Sequence, residues 1–447
     1  MEGKARTGKP RRAAAPKGAA AKGAATLTVG GKTLELPLLV GTMGTRAVDI
    51  SALRAATGLV AYDPGLANTS VCRSEITHVD GEKGVLLLRG YPIEELTEHC
   101  SFVEVAYLLL HGKLPTERQG RHFSELLNRH SMIHEDMLTF FGKFAEGAHP
   151  MAVLSAMVVS LSSFYPELQR NTEQEEMDIT ATRLLSKLRT IAAFSYKKSI
   201  GEPFVYPSFK FSYCENFLNM MFSSPVSRYK AEPYEVEAMN KLLILHADHE
   251  QNASTTSVRV VGSTGSNLYA CISAGCCALW GPLHGGANQA VIEMLEKIMA
   301  SGMPVADVLR KARDKTDPFK LMGFGHRIYK TYDPRARIAR ELCFEVLRRK
   351  KRKDPLFDLA KRLEEAALKD PYFTERHLYP NIDFYTGIIY RALGFPKEMF
   401  TVLFALGRLP GWIAHWMEMR RSPGRIMRPR QLYTGPTRTA FVPIAER

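Results

Sequence analysis

The sequence predicts a mainly α-helical protein with a small β region near its start. Two observations carry that reading. Apolar residues recur at helical spacing from about residue 93 almost to the end, and the clearest period-two alternation lies before that point. A chain of 447 residues is also long enough to bury a large core and to divide into two or three domains.

The elements follow in order. Residues 1–25 are Ala, Gly, Lys, Arg and Pro, with too little apolar surface to offset the entropy of ordering, so a disordered basic tail is expected there. Residues 26–92 form the β-containing region. Within it, TLTVGGKTLELPLLV (26–40) alternates around a Gly-Gly turn as a hairpin does, and GEKGVLLLRGYPIEEL (81–96) reads as a short strand before a helix. Helical segments come next: FVEVAYLLLHG, MAVLSAMVVSLSSFY, YEVEAMNKLLILHADHE, NQAVIEMLEKIMASG, DPRARIARELCFEVLRR and FDLAKRLEEAALKD, separated by Gly, Pro and Asn. No internal repeat is visible. The stretch 285–385 is more charged than its neighbours. It is expected to be a small helical domain inserted into a larger one built from 93–284 and 386–447, with a ligand cleft between them.

Composition narrows the function classes. MFTVLFALGRLPGWIAHWMEM (399–419) is the most apolar stretch, but Arg408, Pro410 and His415 interrupt it, so a buried, kinked helix is expected and no membrane span. Seven basic residues against one Glu put +6 of the net +14 into residues 1–25, leaving +8 over the other 422. That residue of charge lacks the dense basic stripe of a nucleic-acid reader. The tail has no apolar run for a secretory signal, although an organellar presequence would share its basic character. Seven cysteines without a C-x-x-C pair, most in apolar surroundings, read as small buried side chains of a reducing, cytoplasmic compartment.

Four stretches place polar residues beside glycines or within apolar context. HADHEQNAS (246–254) has His246 and His249 three apart with Glu250 outside them. Zinc hydrolases space two histidines four apart around a glutamate, so a helix-end pair or an anion-binding histidine fits better than a metal site. GPLHGGANQ (281–289) sets His284 before two glycines and a helix, where the positive helix terminus favours a neutral imidazole. Turn filler and catalyst both remain open for it. NIDFYTG (381–387) puts Asp383 at a helix start, either as an ordinary N-terminal acid or as an ionised base. GFGHRIYKTYDPRAR (323–337) gathers His326, Arg327, Lys330, Arg335 and Arg337 behind two glycines. This is a solvated charged face, or the seat of a ligand bearing carboxylates and phosphates.

Together and in this order the four stretches resemble citrate synthase, from about residue 26 to about 436. Long segments such as LILHADHEQNAS, WGPLHGGAN, MGFGHRIYKTYDPRA and RPRQLYTG are similar to the type II enzymes of Gram-negative bacteria. The resemblance implies a two-domain citrate synthase fold with an N-terminal β region. It also implies an acyltransferase, citrate (Si)-synthase, that condenses acetyl-CoA with oxaloacetate and water at the start of the tricarboxylic acid cycle, without a metal or redox cofactor. Laid onto matching positions, His284, His326 and Asp383 would be catalytic. His249, Arg335, Arg408 and Arg428 would hold oxaloacetate, with Arg428 supplied by a neighbouring subunit. Arg327 and Lys330 would meet CoA phosphates.

Type II members are commonly hexamers inhibited by NADH, so the resemblance implies at least a dimer, with a hexamer as the larger assembly. Arg129, His130, Arg183 and Lys187 match the NADH site, whereas SSPVSRYKAEPY (223–234) departs from the regulated members at Val226. The alternatives are 2-methylcitrate synthase, which takes propionyl-CoA, a basic nucleic-acid-binding protein without catalysis, and a zinc hydrolase. One methylene in an apolar pocket discriminates by only about 1–3 kcal/mol, so the first of these is the nearest rival.

Overall fold

The computed structural model describes residues 23–166, 174–351, 354–422 and 424–447. Most of the segment expected to be a disordered tail, residues 1–22, lies outside them. The chain forms two compact units, one of residues up to Arg73 together with Met427–Arg447 and one of Ser74–Ile426.

The first unit holds a three-stranded antiparallel sheet, β1 (Ala24–Val29), β2 (Lys32–Val40) and β3 (Arg46–Val48). The expected hairpin is there, in the register Leu27 opposite Leu34 and Val29 opposite Lys32. Gly30 and Gly31 both have positive φ, 57° and 76°, which a two-residue hairpin turn requires. Apolar side chains of β1 point to one half-buried face because successive residues face opposite ways. The third strand carried too short an alternation to be seen in the sequence.

The second unit contains a second small sheet and the long helices. β4 (Thr77–Asp80), β5 (Val85–Leu88) and β6 (Tyr91–Pro92) pair antiparallel and lead into the helix Ile93–His99. The stretch 81–96 holds the expected strand, β5, before the helix, and its opening residues Gly81 to Gly84 are the turn between β4 and β5. Helices appear where period-3.6 spacing placed them, at Phe102–His111, Pro150–Ser160, Pro233–His246, Ala287–Ser301, Pro334–Arg349 and Pro355–Lys369. Their starts carry the expected chemistry: the Ser101 hydroxyl accepts from the N–H of Glu104, whose carboxylate reaches back to Ser101, and Ser212 with Glu215 does the same.

One helix organises the rest. Phe400–Arg421 is buried continuously from Phe400 to Met417 and packs against Pro233–His246, Ala253–Gly262 and Leu268–Leu279. Trp412 and Trp416 are fully buried in it. At roughly 150–250 Å² of area and about 25 cal/mol per Å², each contributes on the order of 4–6 kcal/mol of burial. The helix continues through Pro410, and the N–H of Gly411 donates at 3.2 Å to the carbonyl of Ala247, just ahead of His249. Arg408 is thereby held against the end of the Pro233–His246 helix. The buried apolar residues of this unit form one cluster running from Ile76 to Met417. Among the described residues, no helix is long and apolar enough to cross a membrane.

Candidate functional site

His326 and Asp383 are brought together by backbone pairing. Gly323 and Gly325 take φ near 80°, and a Cβ on Gly323 would lie 2.7 Å from Val291. In that conformation Phe324 bridges to Pro380, Gly325 donates to the carbonyl of Tyr379 at 2.7 Å, and Asn381 donates to the carbonyl of Gly323 at 2.9 Å. The Asn381 side chain reinforces both ends of this pairing. Its amide donates to the Gly325 carbonyl, and its oxygen caps the helix Ile382–Leu393 by accepting from the N–H of Asp383.

The hydrogen bonds fix which nitrogen of each histidine carries the proton. Backbone N–H groups of Ile328 and Tyr329 both point at His326 Nδ1, 3.1 and 3.2 Å away. A backbone N–H can only donate, so Nδ1 is bare and Nε2 carries the hydrogen. At His284 the N–H of Ser254 approaches Nε2 at 3.4 Å, with the Ser254 hydroxyl at 2.9 Å, which leaves the hydrogen on Nδ1. Burial, then Arg335, lowers His326 to about 4. Burial, then Arg408, does the same for His284, also to about 4. The sequence anticipated a neutral His284 from the nearby helix start; burial and a guanidinium are the larger causes. Both rings are therefore neutral hydrogen-bond donors at pH 7.

Asp383 moves in the opposite direction. Burial raises its carboxyl to about 6, Asp333 adding to the rise while Arg335 and Arg408 oppose it. His249 is held well below its usual range by burial and then by Arg335, His326 and Arg408. The two guanidiniums are the common node. The field of one or the other reaches His249, His284, His326 and Asp383.

Comparison with known proteins bears on what such a constellation belongs to. A family model described as citrate synthase, C-terminal domain, matches residues 65–430. Citrate synthase 1 of Mycobacterium tuberculosis is 52% identical over 424 residues, 95% of this chain and 98% of that protein. The chain belongs to the citrate synthase family. Solved structures agree. The citrate synthase of Pyrobaculum aerophilum superposes with a TM-score of 0.80 at 36% identity, over 88% of this chain and 98% of that one. That of Thermoplasma acidophilum, a ternary complex with carboxymethyl coenzyme A and oxaloacetate, gives 0.78 at 34% identity, over 86% and 98%. Membership makes the protein an acyltransferase that forms citrate.

The remaining residues of this citrate synthase can be placed in turn. Arg335 is buried and already bidentate to Asp333, which caps the Pro334–Arg349 helix: Nε reaches Oδ1 at 3.1 Å and Nη2 reaches Oδ2 at 2.9 Å. Burial opposes its charge, and Asp333, Tyr329 and Asp383 together more than offset it. Among the described residues Arg408 has a neutral hydrogen-bond anchor, its Nε donating to the His246 carbonyl at 2.6 Å, with its guanidinium 4.9 Å above the Phe404 ring. Burial accordingly lowers it to about 10. Of the two, Arg408 is the one without a hydrogen-bonded carboxylate among the described residues, although Asp248 and Asp383 act on it through their field. Arg327, Lys330 and Arg337 are exposed, so the basic run around His326 divides into an inward pair, His326 and Arg335, and an outward trio. Arg428 lies in the other unit, in an exposed segment without regular structure.

Arg129, His130, Arg183 and Lys187 form a separate group between the end of the Glu117–Arg129 helix and the Gln174–Ser199 helix. Lys187 donates to the carbonyls of His130 and Met132, and burial lowers its ammonium to about 8. Arg183 lies 4.8 Å over the Tyr165 ring. A cavity of about 400 Å³, lined among others by Phe102, Leu127, Tyr213 and Asn240, contains none of the site residues.

Several functional neighbours escaped the sequence reading although they sit within or beside the quoted stretches. Ser254 is fully buried, orients His284 and accepts from Trp412 Nε1 at 3.1 Å. Asp248, inside HADHE, accepts from His415 at 3.2 Å and from the Thr77 hydroxyl at 2.5 Å. It ties the His249 segment to the Phe400–Arg421 helix on one side and to β4 on the other. His246 points elsewhere, donating from Nδ1 to the Leu242 carbonyl at 2.7 Å. The turn Gly81 to Gly84 underlies the His326 loop: Lys330 donates to the Gly81 carbonyl at 2.9 Å, and a Cβ on Gly81 would stand 2.2 Å from the Ile328 oxygen. A Gly-x-x-Gly turn was the only available signal, and it does not say what rests on it.

Proposed function

We propose that the enzyme condenses acetyl-CoA with oxaloacetate and water to give citrate and free CoA, with Asp383 as base and His284 and His326 as neutral donors. The observation that carries this is the opposition of one carboxyl raised to about 6 and two imidazoles lowered to about 4, each imidazole with its hydrogen on a defined nitrogen. A thioester methyl is a very weak carbon acid. Asp383 can take its proton only if the enolate oxygen is stabilised as it forms, and His284 Nδ1–H is the donor for that oxygen. His326 Nε2–H donates to the ketone of oxaloacetate while the carbon–carbon bond forms. The resulting citryl thioester is then hydrolysed by water.

Arg408 and Arg335 serve the two carboxylates of oxaloacetate, with His249 beside them and Arg428 contributed by a neighbouring subunit in an assembly that is at least dimeric. The exposed Arg327 and Lys330 suit the phosphates of CoA. This chemistry needs no metal or redox cofactor. The reading divides the helical part into a large domain, 93–284 with 386–447, and a small one, 285–385, and places the enzyme in the cytoplasm. The type II branch, a hexamer and NADH control through Arg129, His130, Arg183 and Lys187 rest on sequence resemblance. In that group Lys187 already has backbone carbonyls to hold.

Thiol release from acetyl-CoA and from propionyl-CoA, with and without oxaloacetate in a chelating buffer, tests the proposal. Fast oxaloacetate-dependent release that favours acetyl-CoA is expected. A preference for propionyl-CoA would move the assignment to methylcitrate formation, and release independent of oxaloacetate would overturn it.

A further inference from the structure

His249 and His326 come from separate segments, and one buried phenol stands against both. Tyr329 is 1% exposed. Its hydroxyl lies 3.1 Å from His249 Nε2, and its ring centroid is 4.7 Å from that of His326. Its own N–H is one of the two that donate to His326 Nδ1. The two imidazoles meet edge to face at 5.4 Å.

Each contact has a distinct consequence. The last torsion of a histidine side chain is broad and roughly two-fold, so a ring holds one orientation only if something fixes it. At His249 the Tyr329 hydroxyl does so. A buried phenol without a partner would be costly, so this bond is favoured from both sides. At His326 the tyrosine contributes packing of its ring, and two backbone N–H groups hold Nδ1 independently of the side chain. Tyr329 itself is seated by its neighbours, since Lys330 donates to the Gly81 carbonyl and the Ile328 oxygen lies against Gly81.

We propose that Tyr329 is a positioning residue for both histidines: its hydroxyl sets the orientation of His249 toward oxaloacetate, and its ring braces the imidazole of His326. This rests on the oxaloacetate reading above. The two tasks use different atoms and can be separated by substitution. Tyr329→Phe removes the hydroxyl and keeps the ring, whereas Tyr329→Leu removes both.

Initial rates with each substrate varied, on the full-length enzyme, read the difference. Tyr329→Phe is expected to raise the KM for oxaloacetate about five- to tenfold, the loss of one hydrogen bond, with the KM for acetyl-CoA and kcat within about twofold. Tyr329→Leu is expected to lower kcat by a further tenfold or more, on the order of a lost transition-state contact. A tyrosine that only fills space would shift the melting temperature and leave the ratio of the two KM values where it was. An unchanged oxaloacetate KM in a folded Tyr329→Phe enzyme, or equal kcat in the two variants, would overturn the proposal. Wild-type enzyme without oxaloacetate-dependent turnover would overturn the parent reading, and this one with it.

Discussion

Asp383→Asn should inactivate the enzyme and stabilise it. In the unfolded chain the carboxyl ionises near 3.8, and in the native site near 6. Between those values the native state keeps a proton that the unfolded state has released, so stability falls as pH rises through that window and the full cost stands above it. Roughly two pH units at about 1.36 kcal/mol each puts the cost of the ionised carboxylate near 3 kcal/mol at pH 8. An amide of the same shape, neutral at every pH, is relieved of it. Thermal melts of the two proteins at pH 8 should therefore place the variant a few degrees higher, with the gap closing as pH falls toward 4. Thiol-release assays should show turnover lower by orders of magnitude, because the base is gone. The wild-type kcat/KM should fall about tenfold per pH unit below about 6, with no histidine limb above pH 5. A variant no more stable than wild type at pH 8, or a gap that does not depend on pH, would refute the account of burial at this carboxyl.

Two further substitutions probe the supports. Ser254→Ala removes the hydroxyl shared by His284 and Trp412 and should lower kcat about tenfold while sparing the KM for oxaloacetate; equal losses in both would mean that the serine does not act through His284. Gly81→Ala forces a methyl group to within 2.2 Å of the Ile328 oxygen and should cost about 1–3 kcal/mol of stability together with a fall in kcat, although every site residue is retained. Normal turnover in a destabilised Gly81→Ala enzyme would detach the turn from the His326 loop.

The helices were legible because their cause is local: a repeated apolar spacing with a cap at the start, as in Ser101 before Phe102–His111. The site stretches were legible for another reason. Glycine beside histidine, or Asp-Pro-Arg opening a helix, leaves a visible mark in the chain. The supports left none, because their meaning depends on distant partners. Thr77 meets Asp248 across 171 positions, and Trp412 meets Ser254 across 158. The pairing of Arg335 with Asp333 spans only two positions, yet an arginine just after an Asp-Pro cap carries no mark of whether it turns to that cap, to a ligand or to both. The third strand of the first sheet, three residues long, was too short to show any period.

The lacing of residues 323–325 to 379–381 has a consequence for how such an enzyme would be mapped by mutagenesis. Among the described residues it consists almost entirely of main-chain atoms, with Asn381 the one side chain that joins in by a hydrogen bond. Replacing side chains one at a time with alanine would report the histidines, the aspartate and Asn381, and pass over the main-chain bonds that set their spacing. Backbone-directed changes, such as proline in place of Asn381, which removes the N–H that reaches Gly323, or an ester in place of a single peptide link, would find them. Inheritance faces the same asymmetry: Gly323, Gly325 and Asn381 are tied to this geometry, whereas the main-chain bonds ask nothing of the other side chains among the six positions, provided the two strands of chain still meet.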